Sequence, residues 1–229
     1  MKIDVNGIEL FYEKEGSGPP LILLHGNGED HHIFDEAAAV LAKTWTLYRI
    51  DSRGHGQSSR MEELHYEDLA GDVISLVQAL GLERPLLYGF SDGGIIGLLI
   101  ALRAPRLLSG MIISGANLQP RGMKGLFYWM FRILNLFRRK PEWEMMLTEP
   151  SIRKGDLRTI EIPVYVTAGE RDMIRESHTT FIAEHIPKSK LDILEGQNHG
   201  SYVVHTEKLA RIIEAGAAFI QKAEQNANL

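Results

Sequence analysis

The chain has 229 residues, a net charge of −5, 44% hydrophobic residues and no cysteine. That length suffices for one large α/β domain or two small ones, and the apolar content for a real core. The charge disfavours nucleic acid as the main partner, and the lack of cysteine excludes disulfides, thiolate metal sites and a cysteine nucleophile. The first residues, Met1-Lys-Ile-Asp-Val-Asn-Gly, lack the apolar core of a signal peptide, and no run reaches the roughly 20 apolar residues of a spanning helix. A cytoplasmic protein is therefore the expectation.

Lys2 to Val5 and Ile8 to Lys14 read as strands joined at Asn6-Gly7, a hairpin signal. Leu21 to Leu24 is an uninterrupted apolar run, as in a strand buried on both faces. It stops at His25-Gly26-Asn27-Gly28. A helical stretch from Ile33 to Ala42 precedes a strand from Trp45 to Ile50, which ends in the loop Asp51-Ser-Arg-Gly-His-Gly-Gln-Ser58. Tyr66 to Leu80 has helical spacing of its apolar residues and is closed by Gly81.

Pro85 to Tyr88 is the next strand. It leads into Gly89-Phe90-Ser91-Asp92-Gly93, a G-x-S-x-G pentapeptide, and then into a helix from Ile95 to Leu102. Strand, sharp turn with serine at its tip, then helix is the context in which this pattern exposes a nucleophilic hydroxyl. Glycine at both ends lets strand and helix approach closely. Leu107 to Ser114 is the sixth strand.

Asn117 to Pro150 is too long for an ordinary connection. It is expected to be an inserted helical lid (residues 117–150) on a core made of residues 1–116 and 151–229. Leu126, Met130, Ile133, Leu134 and Phe137 recur at helical spacing, and Phe127, Trp129 and Phe131 make the rest apolar too. Phe127 and Met130 are the expected substrate-facing residues. Arg121, Lys124, Arg132, Arg138, Arg139 and Lys140 flank the segment with no acidic residue between them. Its second side can pack within the lid, which is the plainer reading, or meet a second subunit or an anionic membrane surface. A lid this short implies a small or open pocket. Ile162 to Ala168 resumes the strand pattern and ends in Gly169-Glu-Arg-Asp172. Phe181 to Ile186 belongs to a helix, Leu191 to Leu194 is the last strand, and Glu195-Gly-Gln-Asn-His199 follows it. His205 to Lys222 is an amphipathic helix, with a frayed polar tail from Ala223 to Leu229.

Alternating strands and helices imply a mostly parallel sheet with helices on both faces, whose active site lies at the carboxyl ends of the strands. Asn27, Ser91, Asp172 and His199 all follow strands. A serine hydroxyl needs a base, and the base an orienting acid. His199 is the best base, Asp172 the best acid, with Glu170 the alternative. Asp51 reads as a shaper of its own loop, His25 and His55 as braces, and the adjacent His31 and His32 as surface residues.

Ser91, Asp172, His199 is the chain order of α/β-hydrolases. With His25-Gly26-Asn27-Gly28, Asp51-x-Arg53-Gly54-x-Gly56-x-Ser58, Gly89-x-Ser91-x-Gly93, Gly169-x-x-Asp172 and Asn198-His199, the chain resembles that superfamily over nearly its whole length. The resemblance implies a cofactor-free serine hydrolase, a carboxylic ester hydrolase first. Ser91 would be nucleophile, His199 base and Asp172 its partner, with the backbone N–H groups of Asn27 and Asp92 as oxyanion hole and no metal. Carbon–carbon hydrolysis, acyl transfer, perhydrolysis or a non-catalytic receptor can use the same residues. Asp92 departs from the apolar or amide residue common at its position. Ser91-Asp-Gly-Gly94 is similar to valacyclovir hydrolase-like members, which act on amino-acid esters, and Asp92 is a candidate for binding a substrate amine.

Overall fold

Asn6 and Gly7 both take positive φ, 47° and 77°. That pair of left-handed residues closes a two-residue hairpin whose twist matches the strands it joins. The hairpin strands are β1 (Lys2–Val5) and β2 (Ile8–Gly16). The structure is a computed structural model and describes residues 1–227. The chain continues through β3 (Pro20–Leu24), α1 (Asp35–Leu41), β4 (Thr46–Ile50), α2 (Tyr66–Ala79), β5 (Leu86–Phe90), α3 (Asp92–Arg103) and β6 (Gly110–Ser114). An excursion then holds α4 (Gly125–Arg138) and α5 (Pro141–Thr148). The short α6 (Lys154–Leu157), β7 (Val164–Arg171), α7 (Glu176–His185), β8 (Ser189–Asn198) and α8 (Lys208–Ala227) complete it.

The eight strands form one sheet in the order β1-β2-β4-β3-β5-β6-β7-β8. β2 is antiparallel to both neighbours, and every pair from β4 to β8 is parallel. This is the mostly parallel sheet expected from the sequence. Along β3, Leu21 and Leu23 enter the core shared with α1 and α8, while Ile22 and Leu24 enter the core shared with α2, α3 and α7. Helices therefore cover both faces, which is why the central strands are apolar without interruption.

Several elements are longer than their sequence signals. β8 runs on through Glu195 to Asn198, because an edge strand is half exposed and needs no apolar run. α7 starts at Glu176, and α8 reaches Ala227, so residues 223–227, expected to fray, are helical. Asn228 and Leu229 lie outside the described residues. His31 is buried, not on the surface: its Nδ1 lies 2.8 Å from Asp51 Oδ1. Asp51 also accepts from the N–H groups of His31 and Gln57, and so shapes its loop.

Candidate active site

The site is assembled at the carboxyl ends of parallel strands. Ser91 follows β5, Asp172 follows β7, His199 follows β8 and Asn27 follows β3. At Ser91 the backbone takes φ 51°, ψ −111°, a conformation unfavourable for a residue with a side chain. Close packing holds it there. A Cβ on Gly89 would lie 2.2 Å from the Gly93 carbonyl oxygen, and one on Gly93 would lie 2.2 Å from that of Leu24. Only glycine permits that crossing of strand and helix. The serine is lifted above the sheet edge at the start of α3.

Ser91 Oγ lies 3.1 Å from His199 Nε2, and His199 Nδ1 lies 2.7 Å from Asp172 Oδ1. A carboxylate only accepts, so Nδ1 carries the proton and Nε2 is left as an acceptor facing the hydroxyl. Asp172 is buried. Burial pushes its carboxyl up, but the hydrogen bond and charge of His199, with the N–H groups of Ile174 and Gly169, outweigh this and hold it below the usual carboxylate range. Glu170, the alternative acid, is exposed and accepts instead from the Gly196 N–H.

The N–H groups of Asn27 and Asp92 have no acceptor among the described residues, whereas the neighbouring Gly26 N–H donates to Glu29 and the Gly28 N–H to His55 Nε2. Asn27 Nδ2 donates to Asp92 Oδ2 at 2.9 Å and to the Glu142 carbonyl of α5 at 2.7 Å. Its side chain thus ties the two loops and the α4–α5 excursion together. Asp92 Oδ1 accepts from the Tyr66 hydroxyl at 2.6 Å. Burial raises the Asp92 carboxyl despite both donors.

Ser91 and His199 open into a cavity of about 200 Å³, walled by Met123, Phe131, Trp143, Met146, Met173 and Ile174, with Asn27, Glu29 and Asp92 on its polar side. The expectation for two residues is corrected here. Phe127 and Met130 do not line this cavity. Phe131, one turn beyond Phe127, is the α4 residue that does, and Met130 points outward at 41% exposure. The helix is rotated so that its Phe131 side faces the core.

Sequence reasoning also passed over Glu29, Gly115 and Tyr66. Gly115 had a signal, since it follows the end of β6 beside two strands that carry site residues. Glu29 Oε2 accepts from the Gly26 N–H at 3.0 Å, and burial pushes its carboxyl up to about 7. Tyr66 had none, for it reads as an ordinary first residue of a helix.

A strained serine at a strand–helix turn, within reach of an imidazole that is held by a carboxylate, defines the serine-hydrolase class of α/β protein. A family model for the alpha/beta hydrolase fold matches residues 19–142, and the chain belongs to that family. It is a hydrolase of this fold. It is 26% identical over 246 residues to serine hydrolase BPHL of Mus musculus, covering 93% of this chain and 84% of that one. Among solved structures it is similar to esterase RhEst1 from Rhodococcus sp. ECU1013, with TM-score 0.75, 25% identity and coverage of 96% and 97% of the two chains. A thermophilic esterase from Thermogutta terrifontis shares the fold, with TM-score 0.78, 20% identity and coverage of 96% and 98%.

Proposed function

We propose that this hydrolase cleaves small, largely apolar carboxylic esters through an acyl-enzyme on Ser91, with no cofactor. The observation that carries the reading is the continuous chain from Ser91 Oγ through the His199 ring to Asp172. Ser91 Oγ attacks the carbonyl carbon as His199 Nε2 takes its proton. The tetrahedral oxyanion is met by the N–H groups of Asn27 and Asp92, donors that are otherwise unused. When the C–O bond breaks, His199 returns the proton to the departing alkoxide. Water then attacks the acyl group, His199 takes the water proton, and the acid leaves as Ser91 recovers its hydrogen. Asp172 keeps the tautomer and stabilises the transient imidazolium.

Residues 117–150 act as a lid, whose Phe131, Trp143 and Met146 supply much of the cavity wall. The small volume and apolar wall favour short acyl or aryl groups. Labelling with a fluorophosphonate probe, together with turnover of chromogenic esters of graded acyl length, tests the reading. Native protein should be labelled, and Ser91→Ala should abolish labelling and lower kcat roughly a millionfold. A loss below about tenfold would move the chemistry to other residues.

The finer reading is that Asp92 favours esters bearing an amine. Asp92 is among the residues lining the cavity, and the Ser91-Asp-Gly-Gly94 turn resembles that of amino-acid ester hydrolases. Matched amino and des-amino esters give the test: native protein prefers the amine, and Asp92→Asn loses the preference. Equal selectivity in the two proteins removes the idea.

A further inference from the structure

Helix α4 turns its apolar side to the outside. At about 100° per residue, Leu126, Trp129, Met130, Ile133, Leu136 and Phe137 fall within an arc of about 120°. All six are exposed, Phe137 at 83% and Leu126 at 78%. Leu134 sits at the edge of the arc, at 38%. The opposite arc holds the buried Asn135, whose amide donates to Glu144 of α5, and the half-buried Tyr128 and Phe131. Among the described residues, seven of the eight exposed large hydrophobic side chains belong to this one helix, the other being Met1. An apolar patch of this kind on a protein in water marks a surface that something else covers.

The charge around the patch indicates what covers it. Along the chain, Arg121, Lys124, Arg132, Arg138, Arg139 and Lys140 lie in and beside the helix without an intervening acidic residue, in a protein whose net charge is −5. Among the described residues only Lys140 has a carboxylate within ion-pair distance, Glu142 at 3.2 Å. A cleft of about 560 Å³ between α4 and α5 continues from Leu136 and is lined by Arg132, Arg139 and Lys140, with Glu62 and Glu144 also on its wall.

We propose that the outer face of α4 docks the protein on an anionic lipid bilayer. The helix, about 21 Å long, lies in the plane of the interface with its apolar arc at the acyl boundary and its cations among the headgroups. Two such faces pressed together would oppose six cations to six, of which, among the described residues, only Lys140 has a carboxylate within ion-pair distance, so a second copy is the poorer occupant. No helix among the described residues is long and apolar enough to cross a membrane, so the attachment is peripheral. Phe131 on the inner side of α4 walls the Ser91 cavity, so a docked protein holds that cavity near the bilayer. Docking itself does not depend on the reactivity of Ser91.

Flotation of the full chain with unilamellar vesicles tests this directly. The native protein should float with phosphatidylcholine vesicles containing about a third phosphatidylglycerol, should not float with phosphatidylcholine alone, and should be released by about 0.5 M salt. Trp129→Ser/Phe137→Ser should lose binding. Arg138→Gln/Arg139→Gln should weaken it about thirtyfold. These side chains are exposed, and unchanged thermal melts identify variants that fold. Failure of the native protein to float with anionic vesicles, equal flotation with neutral ones, or a dimer that buries Trp129 and ignores vesicles would each overturn the proposal.

Discussion

Gly115 presses against the His199 ring: a Cβ at Gly115 would stand 2.7 Å from Cε1 and 2.9 Å from Nδ1. Gly115 also takes φ +63°, a region that costs a residue with a side chain roughly 1–2 kcal/mol. Gly115→Ala should therefore push the imidazole off the line between Asp172 and Ser91. Kinetics on a chromogenic ester should show kcat down by about a hundredfold, with a much smaller change in KM. A kcat within twofold of native would mean that the ring position is not set by this contact.

Asp172 acts through its charge as well as its shape. Asp172→Asn keeps the volume but removes the obligatory acceptor that selects the Nδ1–H tautomer, and kcat should fall about ten-thousandfold. The stability consequence has a definite sign. The folded carboxyl is held below its ordinary value, so it contributes stability above the ordinary carboxylate range and loses it as pH falls through the folded value. Native protein should lose stability on acidification more steeply than Asp172→Asn, as read from urea unfolding at a series of acid pH values.

The residues legible in the sequence are those whose type the geometry dictates. Gly89 and Gly93 had to lack a Cβ for α3 to cross β5, and a serine, a carboxylate and a histidine after strands of a parallel sheet were bound to share its carboxyl edge. The cavity wall was less legible. Phe127 and Phe131 are chemically alike, and the rotation of α4 that turns Phe131 inward is set by α5 and by Met173 and Ile174, residues distant in sequence. The rule that an apolar helix face turns toward the core also failed for α4, where most of the large apolar side chains point outward. His31 and His32 show the same limit at smaller scale. Adjacent and identical, one is buried on Asp51 and the other is exposed.

Glu29 should give the site a pH dependence near neutrality. Its carboxyl is pushed up to about 7 by burial, against the Gly26 N–H and the charge of His199, with Asp92 and Asp30 pushing further up. The group binds a proton more tightly when folded than its ordinary value of 4.5 allows. The stability this contributes is fully present below about 4.5 and is lost as pH rises through about 7, a change of at most about 3 kcal/mol. Urea unfolding at pH 5 and pH 8 should show native protein losing more stability than Glu29→Gln. The charge also appears beside the nucleophile: a Cβ on Gly26 would lie 2.8 Å from Glu29 Oε2 and 3.1 Å from Ser91 Cβ. An ionised Glu29 opposes the developing oxyanion, so kcat/KM of the native protein should decline above about pH 7 relative to Glu29→Gln. Superimposable pH profiles would sink this account.

Tyr66 supports the site from below. Its hydroxyl donates to Asp92 Oδ1 at 2.6 Å, and both residues are buried. Burial already raises the Asp92 carboxyl, and the Tyr66 and Asn27 donors are what limit the rise. Tyr66→Phe removes one donor from a buried carboxylate, which costs about 1.5–3 kcal/mol while Asp92 is ionised. Protonation of Asp92 relieves most of that cost, so the deficit should be large at pH 8 and shrink as pH falls. The backbone N–H of Asp92 is one of the two proposed oxyanion donors, so a shifted Asp92 should also lower kcat, by about tenfold. Urea unfolding of native and Tyr66→Phe protein across that range measures the first effect. A deficit that stays constant with pH would mean that the hydroxyl contributes through packing alone, without a charge to hold.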